Sequence, residues 1–252
     1  MFLVAVVGMK MHHTQVTIKP LGDSALMVQL GDGIDPLIHK QVKALSTLLH
    51  EHPFEGFVES VPAYNNVTVH YNPYIVYLSQ FGAEGITPFQ KVSAFINELV
   101  QRMGETQSIE DRIITIPVYY GGEFGPDLDY VAAYHDLSTD EVIRIHTENE
   151  YLVYMLGFAP GFPFMGGMNE SIATPRRETP RLSIAPGSVG IAGKQTGVYP
   201  LETPGGWQII GRTPKKLFLP HLSPPTLLQS GDNIKFVPIS LEEYRTIEEE
   251  ME

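Results

Sequence analysis

The chain has 252 residues, a formal net charge of −12 and no cysteine. This acidic balance argues against a nucleic-acid-binding protein, which needs basic side chains that displace counterions from phosphates. Without cysteine there can be no disulfide, thiol nucleophile or thiolate metal site. A hydrophobic content of 43% is typical of a soluble protein with one large or two small domains, and we predict a cytoplasmic location.

The first half predicts an α+β domain over residues 1–108, a small antiparallel sheet with two helices on one face. Two hairpins supply the strands, because apolar segments flank turn-forming residues in both. Each helix begins with a capping side chain followed by proline. The predicted elements are strands Thr17–Gly22 and Ala25–Leu30, a helix from Asp35 to about His50, strands Phe57–Tyr64 and Val67–Tyr71, and a helix from Thr87 to Met103.

Two segments of the first half stand apart from these elements. The opening MFLVAVVGMKMHH contains an apolar run shorter than a membrane span, without the basic region that begins a signal peptide. It predicts either a first strand or a true start at Met9 or Met11. The polar segment Gly104–Asp111 predicts a linker between two domains.

The second half, residues 109–252, predicts a mainly β domain. Ile113–Tyr120 is a predicted strand, and predicted helices follow at Leu128–Tyr134 and Thr139–Glu148. Many acidic side chains on these helices argue against a DNA-binding helix pair. From Leu152 onward, short apolar segments alternate with Gly/Pro turns, which is typical of a β-barrel or a sandwich. The tail Glu242–Glu252 predicts a solvated helix end or a frayed terminus.

The candidate site is the segment Gly157–Thr213. It holds 11 of the 23 glycines and five basic residues against three acidic ones. The alternative is a turn-rich β domain whose glycines only form hairpins. Gly187–Lys194 resembles a phosphate loop, but its glycines have the wrong spacing and Gln195 follows the lysine. His50-Glu51-His52 is too closely spaced for two helical metal ligands, so no metal site is predicted.

Three arginines, Arg176, Arg177 and Arg181, are spaced by prolines in this segment. Guanidinium groups bind carboxylate or phosphate in bidentate fashion, and this pattern predicts an anion site. The alternatives are a solvated loop or salt bridges to the acidic surface. His146 follows Val142 by four residues on a capped helix, which fits either a core histidine or a general acid/base. Polar side chains that add to a glycine-lined wall are Gln195, Tyr199, Glu202 and Arg212.

Longer motifs carry a resemblance to a known family. They are LGDSALMVQL, PVYYGGEFGPDL, HTENEYLVYMLGFAPGFPFMGGM, PRRETPR, GSVGIAGKQTGVYP and PGGWQIIGRTP. Their order over roughly Thr17 to Ile239 resembles the family of the 5-oxoprolinase B subunit, also named allophanate hydrolase subunit 1 and sporulation kinase A inhibitor. The residues before Thr14 lie outside the pattern, which adds to the question of the start.

The resemblance implies a cyclophilin-like β-barrel for the second half and an α/β domain for the first. It also implies two partners, the related C subunit of 5-oxoprolinase and its separate A subunit, with which the family cleaves 5-oxo-L-proline to L-glutamate using ATP. The B and C subunits further resemble the two halves of the carboxyltransferase domain of urea carboxylases. Since the chain lacks a P-loop, ATP can lie on a partner in the complex.

Within this family we assign hypothetical roles to the candidate residues. Arg176, Arg177 and Arg181 would hold the substrate carboxylate or a phosphorylated intermediate. Backbone N–H groups around Gly187–Gly193 would stabilise developing oxyanion charge. The predicted catalytic residues are His146, Arg177 and Gln195, and the predicted substrate-binding residues are Arg176, Arg181, Gly187, Ser188, Gly193, Tyr199 and Arg212.

The resemblance also leaves two other functions open. The first is a regulator that binds a sensor histidine kinase and inhibits its autophosphorylation, without need of catalysis. The second, which we rank last, is a component of an allophanate or urea-amide hydrolase. In the regulator, four aromatic residues would be interface anchors rather than core side chains. They are Phe158, Phe162, Phe164 and Trp207.

Overall fold

The computed structural model describes residues 16–81, 86–103 and 112–251. The chain divides into two compact units, Met1–Ile109 and Glu110–Glu252, and both mix helices with strands. The apolar opening, the alternative starts at Met9 and Met11, the predicted linker and the predicted boundary after residue 108 lie outside the described residues. None of the helices in the described ranges is long and apolar enough to cross a membrane.

The first unit is a four-stranded antiparallel sheet with two long helices. The strand order is β1-β2-β4-β3, and apolar side chains of β2 and β4 pack against α1 and α3 in one core. Both predicted hairpins and both predicted helices are confirmed, and a short helix, α2, is additional. The elements are β1 (Thr17–Pro20), β2 (Ala25–Gln29), α1 (Pro36–Glu51), β3 (Phe57–Pro62), β4 (Asn66–Tyr71), α2 (Pro73–Leu78) and α3 (Pro88–Arg102).

Capping residues begin these helices where the sequence places them. The Asp35 carboxylate accepts a hydrogen bond from the backbone N–H of Leu37 at 2.6 Å. In α3, the Thr87 side chain accepts from the Gln90 backbone, and the Gln90 side chain accepts from the Thr87 backbone. Both arrangements satisfy N–H groups that a helix leaves unpaired at its first turn.

The second unit contains a seven-stranded mixed sheet in the order β10-β9-β12-β5-β13-β6-β7. Its two outer strands, β7 and β10, lie close together, so the sheet is nearly closed into a barrel. A separate pair, β8 and β11, lies outside it. The elements are β5 (Ile113–Tyr120), α4 (Leu128–Tyr134), α5 (Thr139–Glu148), β6 (Glu150–Leu156), β7 (Pro163–Gly166), β8 (Arg181–Ile184), β9 (Ser188–Ala192), β10 (Gln195–Val198), β11 (Thr203–Gly205), β12 (Gln208–Arg212), β13 (Asn233–Pro238) and α6 (Leu241–Glu250).

Strand β5 organises this sheet. It pairs antiparallel with β12 at its carboxyl end and parallel with β13 from Ile113 to Val118. The predicted strand Ile113–Tyr120 and both helices after it have the predicted bounds. The tail differs from the frayed alternative, because α6 is a regular helix with a capping box between Ser240 and Glu243.

Candidate functional site

A cleft of about 170 Å³ lies beside the carboxyl end of β5 in the second unit. Three segments form its walls: the loop after β5, strand β8 with its turn into β9, and strand β12. It contains two arginines and one glutamate, so its lining has a net positive charge. The lining residues are Glu123, Phe124, Pro126, Arg181, Ser183, Ile184, Ala185, Ser188, Ile209 and Arg212.

Arg212 is held on one wall of the cleft by a hydrogen bond and by ring stacking. Its Nε donates to the carbonyl of Pro186 at 2.8 Å. Its guanidinium carbon lies 5.5 Å from the centroid of the Phe124 ring, a cation–π arrangement. Phe124 in turn stacks on Tyr244 of α6, with ring centroids 4.8 Å apart. The two Nη groups of Arg212 have no hydrogen-bond partner among the described residues and can bind an anion.

A buried carboxylate, Asp127, lies at the junction of the three walls. Its side chain accepts from Arg181 Nη1 and Nη2, both at 2.8 Å, and from Arg177 Nη1 at 2.9 Å. It also accepts from the backbone N–H of Ile209 at 2.6 Å. Two guanidinium groups therefore share one carboxylate, and one positive charge remains uncompensated within the cluster.

The three predicted arginines have different positions. Arg181 lines the cleft, and its Nε has no partner among the described residues. Arg177 does not line the cleft; its backbone N–H donates to Gly206 at 2.7 Å and its Nε is buried without a hydrogen bond in the part of the chain that is described. Arg176 is exposed, with its guanidinium carbon 6.0 Å from the centroid of Trp207. The salt-bridge alternative thus holds for Arg177 and Arg181, but the partner is a buried aspartate.

The turn at Gly187 has a structural explanation. Its φ is +81°, and a Cβ atom there would lie 2.3 Å from the backbone oxygen of Thr213. Its backbone N–H donates to the carbonyl of Tyr199 at 2.7 Å, and the backbone N–H of Gly193 donates to the carbonyl of Thr174 at 2.7 Å. Strand β9, including Ser188 at its start, is hydrogen-bonded on both sides by β10 and β12. These donors already have backbone partners, and this geometry gives no support to the hypothesis that they stabilise an oxyanion.

His146 lies in the core of the second unit, away from the cleft. Its Nδ1 is 2.8 Å from the Tyr120 hydroxyl and its Nε2 is 2.9 Å from Thr196 Oγ1. The ring also packs against Phe236, with centroids 4.7 Å apart. Complete burial lowers the pKa of His146 from 6.5 to about 3. This environment is that of a neutral core histidine, and it gives no support to the predicted acid/base role.

Gln195 and Gly193 lie at the tip of the β9–β10 hairpin, where Gln195 pairs with Ala192. Ser188 is at the other end of that hairpin and lines the cleft, so the hairpin separates these predicted site residues. Glu202 is exposed and lies outside the cleft lining. Tyr199 is buried among aromatic rings, and burial raises the pKa of its hydroxyl to about 12.

The four predicted interface aromatics differ in how deeply they are buried. Phe162 and Trp207 are buried together, with ring centroids 5.6 Å apart, and Phe164 packs partly buried against the same cluster. Phe158 is 68% exposed. Its φ of +67° is unusual for a residue other than glycine. Of the four, Phe158 alone presents most of its ring at the surface.

Sequence reasoning missed Asp127, Glu123 and Phe124, all in the GGEFGPD loop. Asp127 precedes a helix and so has the signature of an N-cap. Its side chain makes no capping hydrogen bond to α4, because it turns towards arginines far along the chain. No local pattern distinguishes these two uses of an aspartate. Among the described residues, no group of three or more His, Cys, Asp or Glu side chains is placed to hold a metal ion.

Comparison with known proteins places this site in a family. The family of the carboxyltransferase domain, subdomains C and D, matches residues 16–228. The B subunit of the 5-oxoprolinase of Bacillus subtilis (strain 168) is 52% identical over 234 residues, which is 92% of this chain and 97% of that protein. The chain belongs to the 5-oxoprolinase B-subunit family. The family resemblance of the sequence motifs is thereby confirmed.

Two further proteins are similar to this chain at lower identity. The corresponding 5-oxoprolinase protein of Escherichia coli O157:H7 is 42% identical, and the match covers 86% of this chain and 94% of the other. The crystal structure of the conserved uncharacterized protein PH0987 from Pyrococcus horikoshii is 46% identical, with a TM-score of 0.53. That likeness covers 90% of this chain and all of the other. The cleft residues Arg181, Ser188 and Arg212 all fall within the range that the family matches.

Proposed function

We propose that the chain is the B subunit of an ATP-dependent 5-oxoprolinase complex, which hydrolyses 5-oxo-L-proline to L-glutamate together with the A and C subunits. The observation that carries this proposal is the 52% identity to a 5-oxoprolinase B subunit over 97% of that protein. In the same proposal, residues 109–252 form a cyclophilin-like barrel domain, residues 1–108 form the α+β domain, and the complex is cytoplasmic.

The cleft is the proposed binding site for the substrate carboxylate. Arg181 offers Nε from β8 and Arg212 offers its Nη groups from β12. Hydrogen bonds from guanidinium to carboxylate are charge-assisted and therefore stronger than neutral ones. Ser183 and Ser188 add hydroxyl groups that can donate to the lactam carbonyl oxygen of 5-oxo-L-proline. The small volume of the cleft, about 170 Å³, suits a compact anion of this kind.

The residues of the cleft do not fit ATP. Pockets for drug-sized ligands measure roughly 300–1,000 Å³, and this cleft holds about 170 Å³. It contains no lysine to bind phosphates, and its one carboxylate, Glu123, is not part of a metal-binding group among the described residues. We therefore assign the nucleotide to one of the partner proteins and the binding of the substrate carboxylate to this chain.

Reconstitution of the complex tests the proposal. The A and C subunits are assayed for glutamate formation with this chain, without it, and with an Arg212→Gln variant. We expect no turnover without the chain and a KM for 5-oxo-L-proline raised by about 100-fold in the variant, because hydrogen bonds to charged groups contribute about 1.5–3 kcal/mol. Full turnover by the A and C subunits alone would contradict the proposal, as would full turnover by this chain alone.

The other two functions stay predictions from the resemblance. Inhibition of a sensor histidine kinase by the purified chain, with a complex that turns over equally well in its absence, would favour the regulator. Turnover of allophanate in place of 5-oxo-L-proline would favour the amide hydrolase. Phe158, the exposed member of the predicted interface set, is the residue to change in the kinase experiment.

A further inference from the structure

We infer that Asp127 is the positioning residue of the anion cleft: it orients Arg181 and joins the three walls, so that the cleft is formed before substrate binds. The inference rests on the proposed function for the identity of the anion, 5-oxo-L-proline. Four hydrogen bonds reach this one carboxylate, three from guanidinium groups and one from a backbone N–H.

The first argument is that Asp127 does not act as a helix cap. It occupies the N-cap position of α4, where an aspartate side chain normally accepts from the first helical N–H groups. No such bond is present here, and φ −107° and ψ 5° are not the extended values usual for this position. The side chain accepts hydrogen bonds from Arg177 and Arg181 instead, although a capping bond would contribute about 1 kcal/mol to stability.

The second argument is that Asp127 links every wall of the cleft. It belongs to the loop after β5, which also carries Phe124. Its backbone N–H donates to Ile209 of β12 at 2.9 Å, and its carboxylate accepts from the N–H of the same residue. Through Arg181 it holds the start of β8. Displacement of this carboxylate would therefore move all three walls together.

The third argument concerns the orientation of Arg181. Its two Nη atoms donate end-on to the two oxygens of Asp127. This fork fixes the guanidinium plane and leaves Nε–H and the second N–H of each Nη as the remaining donors of that group. Because the plane is fixed before binding, the substrate does not lose affinity in ordering the side chain.

A positioning role and a purely electrostatic role of Asp127 predict opposite changes in anion affinity when its charge is removed. Asp127→Asn removes one negative charge beside the cleft while the side chain keeps its size. If only charge mattered, the cleft would become more positive and would bind anions more tightly. If positioning matters, the amide N–H₂ would face guanidinium donors, the fork would break and binding would weaken.

A matched control exists in the same unit. Asp232 is also buried, accepts from Arg112 Nε at 2.8 Å and accepts from the Gln229 backbone N–H at 2.7 Å. It lies at the amino end of β13 and does not line the cleft. Asp232→Asn therefore has a comparable structural effect without any effect on Arg181.

The experiment is a titration of the ¹⁵N-labelled full chain with 5-oxo-L-proline, following the arginine Nε–Hε resonances by NMR. Pyrrolidin-2-one, the same ring without the carboxylate, is the ligand control. We expect the Arg181 and Arg212 signals to shift saturably with 5-oxo-L-proline alone. Asp127→Asn should raise the dissociation constant about 10-fold, since a displacement of about 1 Å can cost that much or more. Asp232→Asn should stay within about twofold of wild type.

Three outcomes would overturn the inference: unchanged or tighter binding by Asp127→Asn, equal weakening by Asp232→Asn, or guanidinium resonances that do not respond to the anion. Asp127→Glu keeps the charge but displaces the carboxylate by one methylene, and it serves if the asparagine variant does not fold. We expect intermediate weakening from it, whereas wild-type affinity would also overturn the inference. This experiment measures binding by the chain alone. Its outcome therefore tests the role of Asp127 separately from the proposed function, which is tested by turnover of the complex.

Discussion

Two buried aspartates of the second unit, Asp127 and Asp232, lie near opposite ends of β5. Arg112, which binds Asp232, directly precedes this strand, and Asp127 lies in the loop that follows it. Each carboxylate accepts from an arginine and from a backbone N–H. At Asp232 a single arginine matches the single carboxylate, and Arg112 also donates to the carbonyl of Leu227. At Asp127 two arginines share the carboxylate, and one of them lines the cleft.

Stoichiometry is therefore what distinguishes the matched ion pair at Asp232 from the proposed binding site at Asp127. A matched pair neutralises itself and links two segments of chain. One carboxylate between two guanidinium groups leaves a positive charge and unused donors at the surface. The hydrogen-bond distances at Asp127 and Asp232 would not by themselves distinguish the two carboxylates.

The sharpest test of this comparison changes one arginine at each end. We expect Arg181→Gln to lower kcat/KM of the reconstituted complex about 100-fold, as for the loss of one preorganised donor. Arg112→Gln should leave kcat/KM within about twofold, provided that both variants are assayed below their unfolding temperatures. Steady-state glutamate formation measures both. Equal losses at the two ends would show that the arginines act only through stability.

A second test compares two glycines of the predicted binding set. Gly187 is next to the cleft, with φ +81° and the backbone of Thr213 where a Cβ would lie; Gly193 has φ +58° and open space around it. Gly187→Ala should lower the free energy of unfolding by about 3 kcal/mol. Gly193→Ala should cost only about 1 kcal/mol, for the left-handed backbone. Urea unfolding measures both, and equal costs would show that the close approach to Thr213 does not contribute.

A third test concerns the middle of β5, where Phe236 lies opposite Ile116 and packs on His146. Burial lowers the pKa of His146 from 6.5 to about 3. Above pH 6.5 the histidine is neutral in both states, so its contribution to stability is complete. As the pH falls towards 3, the unfolded chain takes up a proton that the folded chain excludes, and stability is lost by up to about 1.4 kcal/mol per pH unit.

His146→Gln should remove this component of the pH dependence. Urea unfolding of both proteins between pH 7 and pH 4 measures the difference, since carboxyl groups titrate equally in both. A parallel loss of stability in the two proteins would contradict the assignment of this component to His146.

Elements whose signals are local could be predicted from the sequence. Helices α3 and α5 begin at the capping boxes of Thr87 and Ser138, in which the two reciprocally bonded residues are only three residues apart. Helix α2 was missed although Asn72 caps it and Pro73 opens it. The helix has only 6 residues, so its apolar pattern is too short to distinguish a helix from a turn.

The site was predictable only in part. Arg181 and Arg212 line the cleft as the density of basic and glycine residues suggested. Asp127 was not found, because it is separated from its arginine partners by 50 and 54 residues. The position of His146 on its helix indicated that it faces inward. That position could not show that both ring nitrogens of His146 are hydrogen-bonded, to Tyr120 and to Thr196.

The stack of Arg212, Phe124 and Tyr244 has a practical consequence for work with this protein. Its last ring comes from α6, beyond the range 16–228 that the family shares. The acidic carboxyl-terminal helix would be an easy region to trim or to fuse to an affinity tag. Shortening it would leave every family motif intact and yet remove the ring that supports the cleft from behind, so recombinant versions should keep their tags at the other terminus.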